Sequence, residues 1–247
     1  MSPRKVARKR APRLRAELRE VERVKPLELF FDLVFVIGFT QCTALMAAQP
    51  DWSGIVRGLL VLAMLWWAWA CYAWLTSLIE PEEGPVRIVI FAAMAGLLIV
   101  ALSVPEAFGD WGLSFAIAYG AVRLGHIALY LTASRQKPGL RRWVLSFAVS
   151  TAVVIGLLVA ASFVNPGWQV TLWVIAVILD WGGAAVFGVT EWRLVPEHFA
   201  ERHNLVIILA LGESIVALGL GATFELSAPV IGVAILGIGL SSALWWI

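Results

Sequence analysis

The sequence predicts an all-α, polytopic transmembrane helical bundle, and three observations predict it. Of its 247 residues, 60% are hydrophobic and only 15% charged, with a mean hydropathy of +0.84, outside the range of soluble globular chains. The apolar residues fall into runs of about twenty, the length that crosses about 30 Å of hydrocarbon at about 1.5 Å of rise per residue. The basic residues are also asymmetric. Ten of the nineteen (Arg4, Lys5, Arg8, Lys9, Arg10, Arg13, Arg15, Arg19, Arg23 and Lys25) precede the first apolar run.

Residues 1–26 therefore read as a basic cytoplasmic segment that meets anionic lipid rather than nucleic acid, because they adjoin a membrane span directly. No cleavage site follows the first apolar run, so the head is not a removable secretory signal. Within it, 13–23 has helical spacing and mixed charge, as in a short interfacial helix. Pro26 then opens the transmembrane domain, 27–247.

About eight spans follow, each bounded by turn chemistry. The first, 27–48, ends at Gln49, Pro50 and Asp51; the second, 54–79, holds a dense run of Trp and Tyr and closes at Glu80–Pro85. The third, 86–104, stops at Pro105. A basic loop around Arg135–Arg142 separates the fourth, 113–133, from the fifth, 143–163. Asn165, Pro166 and Gly167 form the turn before the sixth, 168–190. The seventh, 203–222, follows a polar segment, and the eighth, 229–247, is still apolar where the sequence stops, as expected of a piece of a longer chain.

With the N-terminus inside, the inner segments carry the ten basic residues of the head, Arg87, Arg135, Lys137, Arg141, Arg142, Arg193 and Arg202, whereas the outer loops carry only Arg57. Such an imbalance sets an N-in orientation. Aligning Asp32 with Asn204 superimposes 33–41 on 205–213, and each run is followed one span later by Leu-Trp-Trp. This suggests a parallel internal repeat.

Polar groups within the apolar runs are the candidate site. Glu28 and Asp32 lie one turn apart on the first span, so two like charges share a face and need a cation, a donor or a proton. Tyr119, Arg123, His126 and Tyr130 form a polar stripe on the fourth span. Arg123 keeps its charge and must pair, with Asp180 and Glu213 as acids at similar depth. Two acids against one arginine leave a surplus negative charge, to be met by a proton, a cation or His126. Glu213 falls near the middle of its span, where an ionisable group costs about 2.5–3.5 kcal/mol and marks function by default. Asp32, Arg123, His126, Asp180 and Glu213 are thus binding or translocation candidates, and Glu28 on the first span with His198, Glu201, Arg202 and His203 at the approach to the seventh are the further polar residues of these stretches.

No metal is expected from the three histidines, which lack ligand spacing, and no cofactor or catalytic residue is assigned. Soluble-enzyme signatures are missing as well. Cys42 and Cys71 read as small hydrophobes inside spans, and the span glycines as points of close helix approach.

The stretches Pro26–Gln41 (PLELFFDLVFVIGFTQ), Trp66–Trp69 (WWAW) and Glu197–Gly219 (EHFAERHNLVIILALGESIVALG) resemble the bacterial low temperature requirement protein A family, as does the terminal SSALWWI. The resemblance covers essentially the whole chain. It implies an all-helical protein of the bacterial cytoplasmic membrane, named for growth in the cold, with further spans beyond those here. It brings no established reaction. The expectation is a transporter or channel-like protein for a small ion or solute. The alternatives are a membrane-embedded lipid-modifying enzyme and a non-catalytic component supporting cold growth. The lipid bilayer is the expected partner and nucleic acid is not; the sequence does not specify an oligomeric state.

Overall fold

A computed structural model describes residues 24–136, 138–187, 196–221 and 227–246, and the basic head before residue 24 lies outside them. Among the described residues there are eight α-helices and no strand: α1 (Pro26–Ala48), α2 (Trp52–Leu78), α3 (Gly84–Ser103), α4 (Gly112–Ala133), α5 (Pro138–Ala161), α6 (Pro166–Phe187), α7 (Pro196–Gly221) and α8 (Ala228–Trp246). Short 3₁₀ turns extend α3 and α4. Among the described residues, six helices are long and apolar enough to cross a membrane: α1, α2, α3 with its 3₁₀ turn, α4, α5 and α8. The other two, α6 and α7, carry Asp180 and the charged run from Glu197 to Arg202.

The boundaries follow local chemistry. Pro26, Pro138, Pro166 and Pro196 each stand first in a helix, where a missing N–H costs nothing. The Lys25 N–H donates to Glu28 Oε2 at 2.9 Å, so Glu28 caps the helix it belongs to. Asp51 caps α2 by accepting the Gly54 N–H at 2.9 Å. Gly84 starts α3 with φ +24°, a backbone angle that glycine tolerates best.

α2 is the axis of the bundle. It packs against α1, α4, α6 and α7, and its Val61, Met64, Leu65, Ala68, Trp69 and Leu75 are fully buried. α1 and α2 run antiparallel and approach closely at Gly38, where a Cβ would come within 2.9 Å of Leu65. Further antiparallel packing joins α3 to α4, α4 to α5 and α5 to α6. Large apolar residues such as Phe30, Leu33, Ile88, Ile117 and Val149 stay exposed, as in a protein whose solvent is lipid. α8 touches α7 and buries no residue.

One contact closes the chain on itself. Glu28 meets His198, Asp32 meets Arg202 and Thr40 meets Glu213, in ascending order on both helices, so α1 and α7 lie side by side and parallel. The described part of the polar segment before the expected seventh span, from residue 196, is the first part of this helix: α7 begins at Pro196, seven residues before the apolar run at 203, and residues 191–195 of that segment lie outside the described residues. Pro196 supplies the start, and the inward-facing His198 and Arg202 are held by α1.

Candidate functional site

Two buried ionic clusters lie on either side of α2. The first is built by α1, α2 and α7. Glu28 and Asp32 stand one turn apart on α1, His198 and Arg202 one turn apart on α7, and the two ladders face each other rung by rung. Arg202 Nη2 donates to Asp32 Oδ1 in a short hydrogen bond, and Nε donates to Oδ2 at 3.3 Å. The planar guanidinium thus grips both carboxylate oxygens. Arg202 Nη1 donates to Thr76 Oγ1 at 2.8 Å and lies 3.6 Å from Glu28 Oε1, while Nη2 also reaches the Glu28 carbonyl at 3.4 Å. Trp69 Nε1 donates to Asp32 Oδ1 at 2.7 Å, and its ring lies 5.7 Å from the guanidinium carbon. His198 Nε2 lies 3.2 Å from Glu28 Oε2.

Glu28, Asp32, His198 and Arg202 are each no more than 1% exposed. Ions taken this far from water persist only when partners replace the lost hydration. A narrow crevice lined by Glu28, Phe31, Tyr72, Thr76, Pro81 and Arg202 runs along the cluster, and it is too tight for a water molecule.

The second cluster joins α2, α4, α5 and α6. Arg123 Nη2 donates to Asp180 Oδ1 at 2.7 Å, and Tyr119 OH donates to Asp180 Oδ2 at 2.5 Å. The same Nη2 reaches Thr151 Oγ1 at 3.4 Å, and Nη1 donates to Cys71 Sγ at 2.9 Å. The guanidinium carbon lies 5.1 Å from the Phe147 ring centre. His126 donates from Nε2 to the Cys71 carbonyl at 3.1 Å, which fixes the ring against α2. Here one acid meets one base, and both are buried.

The expected competition of two acids for Arg123 is replaced by two separate arrangements. Asp180 takes Arg123; Glu213 accepts a hydrogen bond from Thr40 Oγ1 at 2.7 Å, is half-buried, and makes no ion pair among the described residues. The reason is topological: α7 packs on α1, α2 and α8, whereas Arg123 points from α4 toward α6. His203 is half-buried, donates from Nδ1 to the Phe199 carbonyl at 2.8 Å and lies against the Trp69 ring, 4.7 Å between centres. Glu201 is exposed. Among the described residues, no group of three or more His, Cys, Asp or Glu side chains is arranged to hold a metal ion.

Sequence reasoning named Asp32 and Arg202 without pairing them. The signal was available, because two acids at i and i+4 complement a histidine and an arginine at the same spacing. Trp69, Thr76, Thr40 and Thr151 were missed as partners, because a Trp or Thr in an apolar span carries no mark of the charge it will serve; Tyr119 was named in the polar stripe beside Arg123, and the structure gives it Asp180 as partner. Cys71, read as a small hydrophobe, is buried and also accepts from Arg123.

Comparison with known proteins bears on the same segments. The chain is 30% identical over 207 residues to an uncharacterized protein of Rhizobium meliloti (strain 1021), which covers 78% of this chain and 49% of that protein. It thus spans about half the length of the curated relative it matches. No solved structure gives a significant match. The family described as Bacterial low temperature requirement A protein matches residues 23–247, a range that takes in both ladders of the α1–α7 cluster and the Arg123–Asp180 pair. A match over nearly the whole chain makes this a membrane protein of the bacterial low temperature requirement A family.

Proposed function

We propose that the protein is a transport-type protein of the bacterial cytoplasmic membrane, with its N-terminus inside, and that the seam between α1 and α7 is its working part. The observation that carries this reading is the parallel polar ladder along the seam. Two acids face a histidine and an arginine near the helix starts. Farther along, the Glu213 carboxylate sits opposite Thr40, eleven residues beyond Arg202, or about 16 Å. Phe35, Val36 and Val206 fill the interval with buried apolar side chains. A helix pair that served packing alone gains nothing from a half-buried carboxylate deep in its apolar portion, where charge is costly.

Proteoliposomes test the proposal with a panel of monovalent and divalent ions and small solutes. Wild type is expected to move at least one of them, with Asp32→Asn and Glu213→Gln each slowing that flux at least tenfold. Equal flux in all three proteins overturns it.

A lipid-modifying enzyme is the second reading, favoured by the close approach of Asp32 to Arg202 and of Glu28 to His198 at the same end of the bundle. The tightness of the crevice weighs against it, since a head group needs far more room than a water molecule. An altered lipid profile in a deletion strain, restored by wild type and not by Asp32→Asn, would favour that reading over transport.

A further inference from the structure

We infer that the far end of the α1–α7 seam, where Glu213 stands near aromatic rings of α1 and α2, is a binding site for a lipophilic organic cation. This rests on the reading of the seam as the working part of a transport-type protein, and it names the class of substrate taken there.

The acids inside the bundle divide by what answers their charge. Asp180 holds Arg123, Asp32 holds Arg202, and Glu28 faces that same arginine and His198. Glu213 makes no ion pair among the described residues, and its hydrogen-bond partner is the neutral Thr40 hydroxyl at 2.7 Å. Its counter-charge is left to something outside the fold. The surroundings say what kind of ion that is. Thr40 follows Phe39, whose ring stands edge-on to Trp66 with 6.4 Å between centres. Trp66 is in turn edge-on to His203 at 5.8 Å, which closes the inner end of the group. Beside Trp66 on α2, Trp67 stacks on Trp181 of α6 with 5.5 Å between centres.

A hard metal cation needs several oxygens turned toward one point. Among the described residues the oxygen hydrogen-bonded to Glu213 is that of Thr40, and the rest of the group is ring carbon. An organic cation with its charge spread over carbon is weakly hydrated and asks for less: aromatic faces, of which Trp is the best, and one opposite charge. The site supplies both. It is also open to such a ligand, which dissolves in the bilayer and needs no aqueous route. Among the described residues α6 and α7 each pack on α2 with little contact between them, so Trp66 and Trp67 are only half-buried, as are His203 and Glu213, and Trp181 is exposed. Gly182, next to Trp181, and Gly212, next to Glu213, have nothing within 4 Å of the point where a Cβ would stand. The Arg202 guanidinium, which would repel a cation, is turned onto Asp32.

Two probes of one shape and opposite charge, tetraphenylphosphonium and tetraphenylborate, test this on the full chain reconstituted in lipid, with uptake by protein-free vesicles subtracted. Wild type is expected to bind the phosphonium saturably and the borate no better than background. This comparison needs wild type alone, so it stands even where a variant fails to fold. Glu213→Gln should weaken phosphonium binding by at least about tenfold, and Glu213→Asp by less. Trp66→Leu should weaken it by about tenfold, and Trp66→Phe, which keeps a ring, by less. Absence of saturable phosphonium binding, equal binding of the two probes, an affinity unchanged in Glu213→Gln, or displacement of the phosphonium by Na⁺, K⁺ or Mg²⁺ at constant ionic strength overturns the inference. If the phosphonium binds while proteoliposomes move neither it nor any other solute, transport falls and the cation site stands; if an ion or solute is moved while the phosphonium does not bind, the reverse holds.

Discussion

Arg123 and Arg202 are both buried arginines gripping an aspartate, yet their surroundings differ. Arg123 meets one acid, and its other contacts are a hydroxyl, a thiol and an aromatic face contributed by tightly packed neighbours. Arg202 meets two acids within a turn, and one of those also meets a histidine. A one-to-one pair has a single satisfied state and acts as a pin between helices. A cluster of two acids with an arginine and a histidine offers more than one pairing among its members. The helices differ in the same sense: α4 is flanked by α2, α3 and α5, whereas α7 has α1 and a short stretch of α2 on one side and α8, with nothing buried, on the other.

The sharpest way to break this contrast is Asp180→Leu. It leaves Arg123 charged and unpaired in the core, and a loss of about 3–5 kcal/mol is expected, read as a lower thermal midpoint and poor monodispersity in detergent. The double variant Arg123→Met, Asp180→Leu should regain most of that loss and, if the pair is only a pin, keep wild-type flux. A smaller effect is expected from Asp32→Asn, about 2–3 kcal/mol for weakening charge-assisted bonds, because the amide oxygen still accepts. Its flux should be lost even where the fold is retained, so a fold-restored double variant Asp32→Leu, Arg202→Met that still transports would erase the distinction. Trp69→Phe removes one donor to Asp32 and should cost about 1.5 kcal/mol, measurable as a shift in the unfolding midpoint. The smallest expected change in stability follows Glu213→Gln, within about 0.5 kcal/mol, since the amide oxygen still accepts from Thr40. An unfolding midpoint far from wild type would make Glu213 part of the frame instead of the seam.

The fold was largely legible because hydrophobic length and turn residues report on membrane spans directly. Pro26, Asp51, Pro166 and the Asn165 turn mark helix starts that the structure keeps within a few residues. The exception, α7, hid its first two turns behind charged residues that a hydropathy reading assigns to a loop. Depth offered both Asp180 and Glu213 as partners for Arg123 without choosing between them. Depth could not say that Glu213 belongs to another face, because register along a span fixes height and not azimuth. Helix–helix adjacency fixes azimuth, and it depends on contacts between residues about 170 positions apart.

That long separation also has a consequence for how the chain is made. At about 5–20 residues per second, the ribosome needs roughly 10–30 s after synthesising Asp32 to reach Arg202. During this wait the first helix holds two carboxylates whose arginine does not yet exist; Glu28 has the Lys25 N–H of its own helix start, and the earliest relief for Asp32 is Trp69, 37 residues on, which supplies a hydrogen bond but no charge. Arg123 waits only 57 residues for Asp180. The first helix therefore carries Asp32 without its arginine about three times as long as the fourth carries Arg123 without its aspartate.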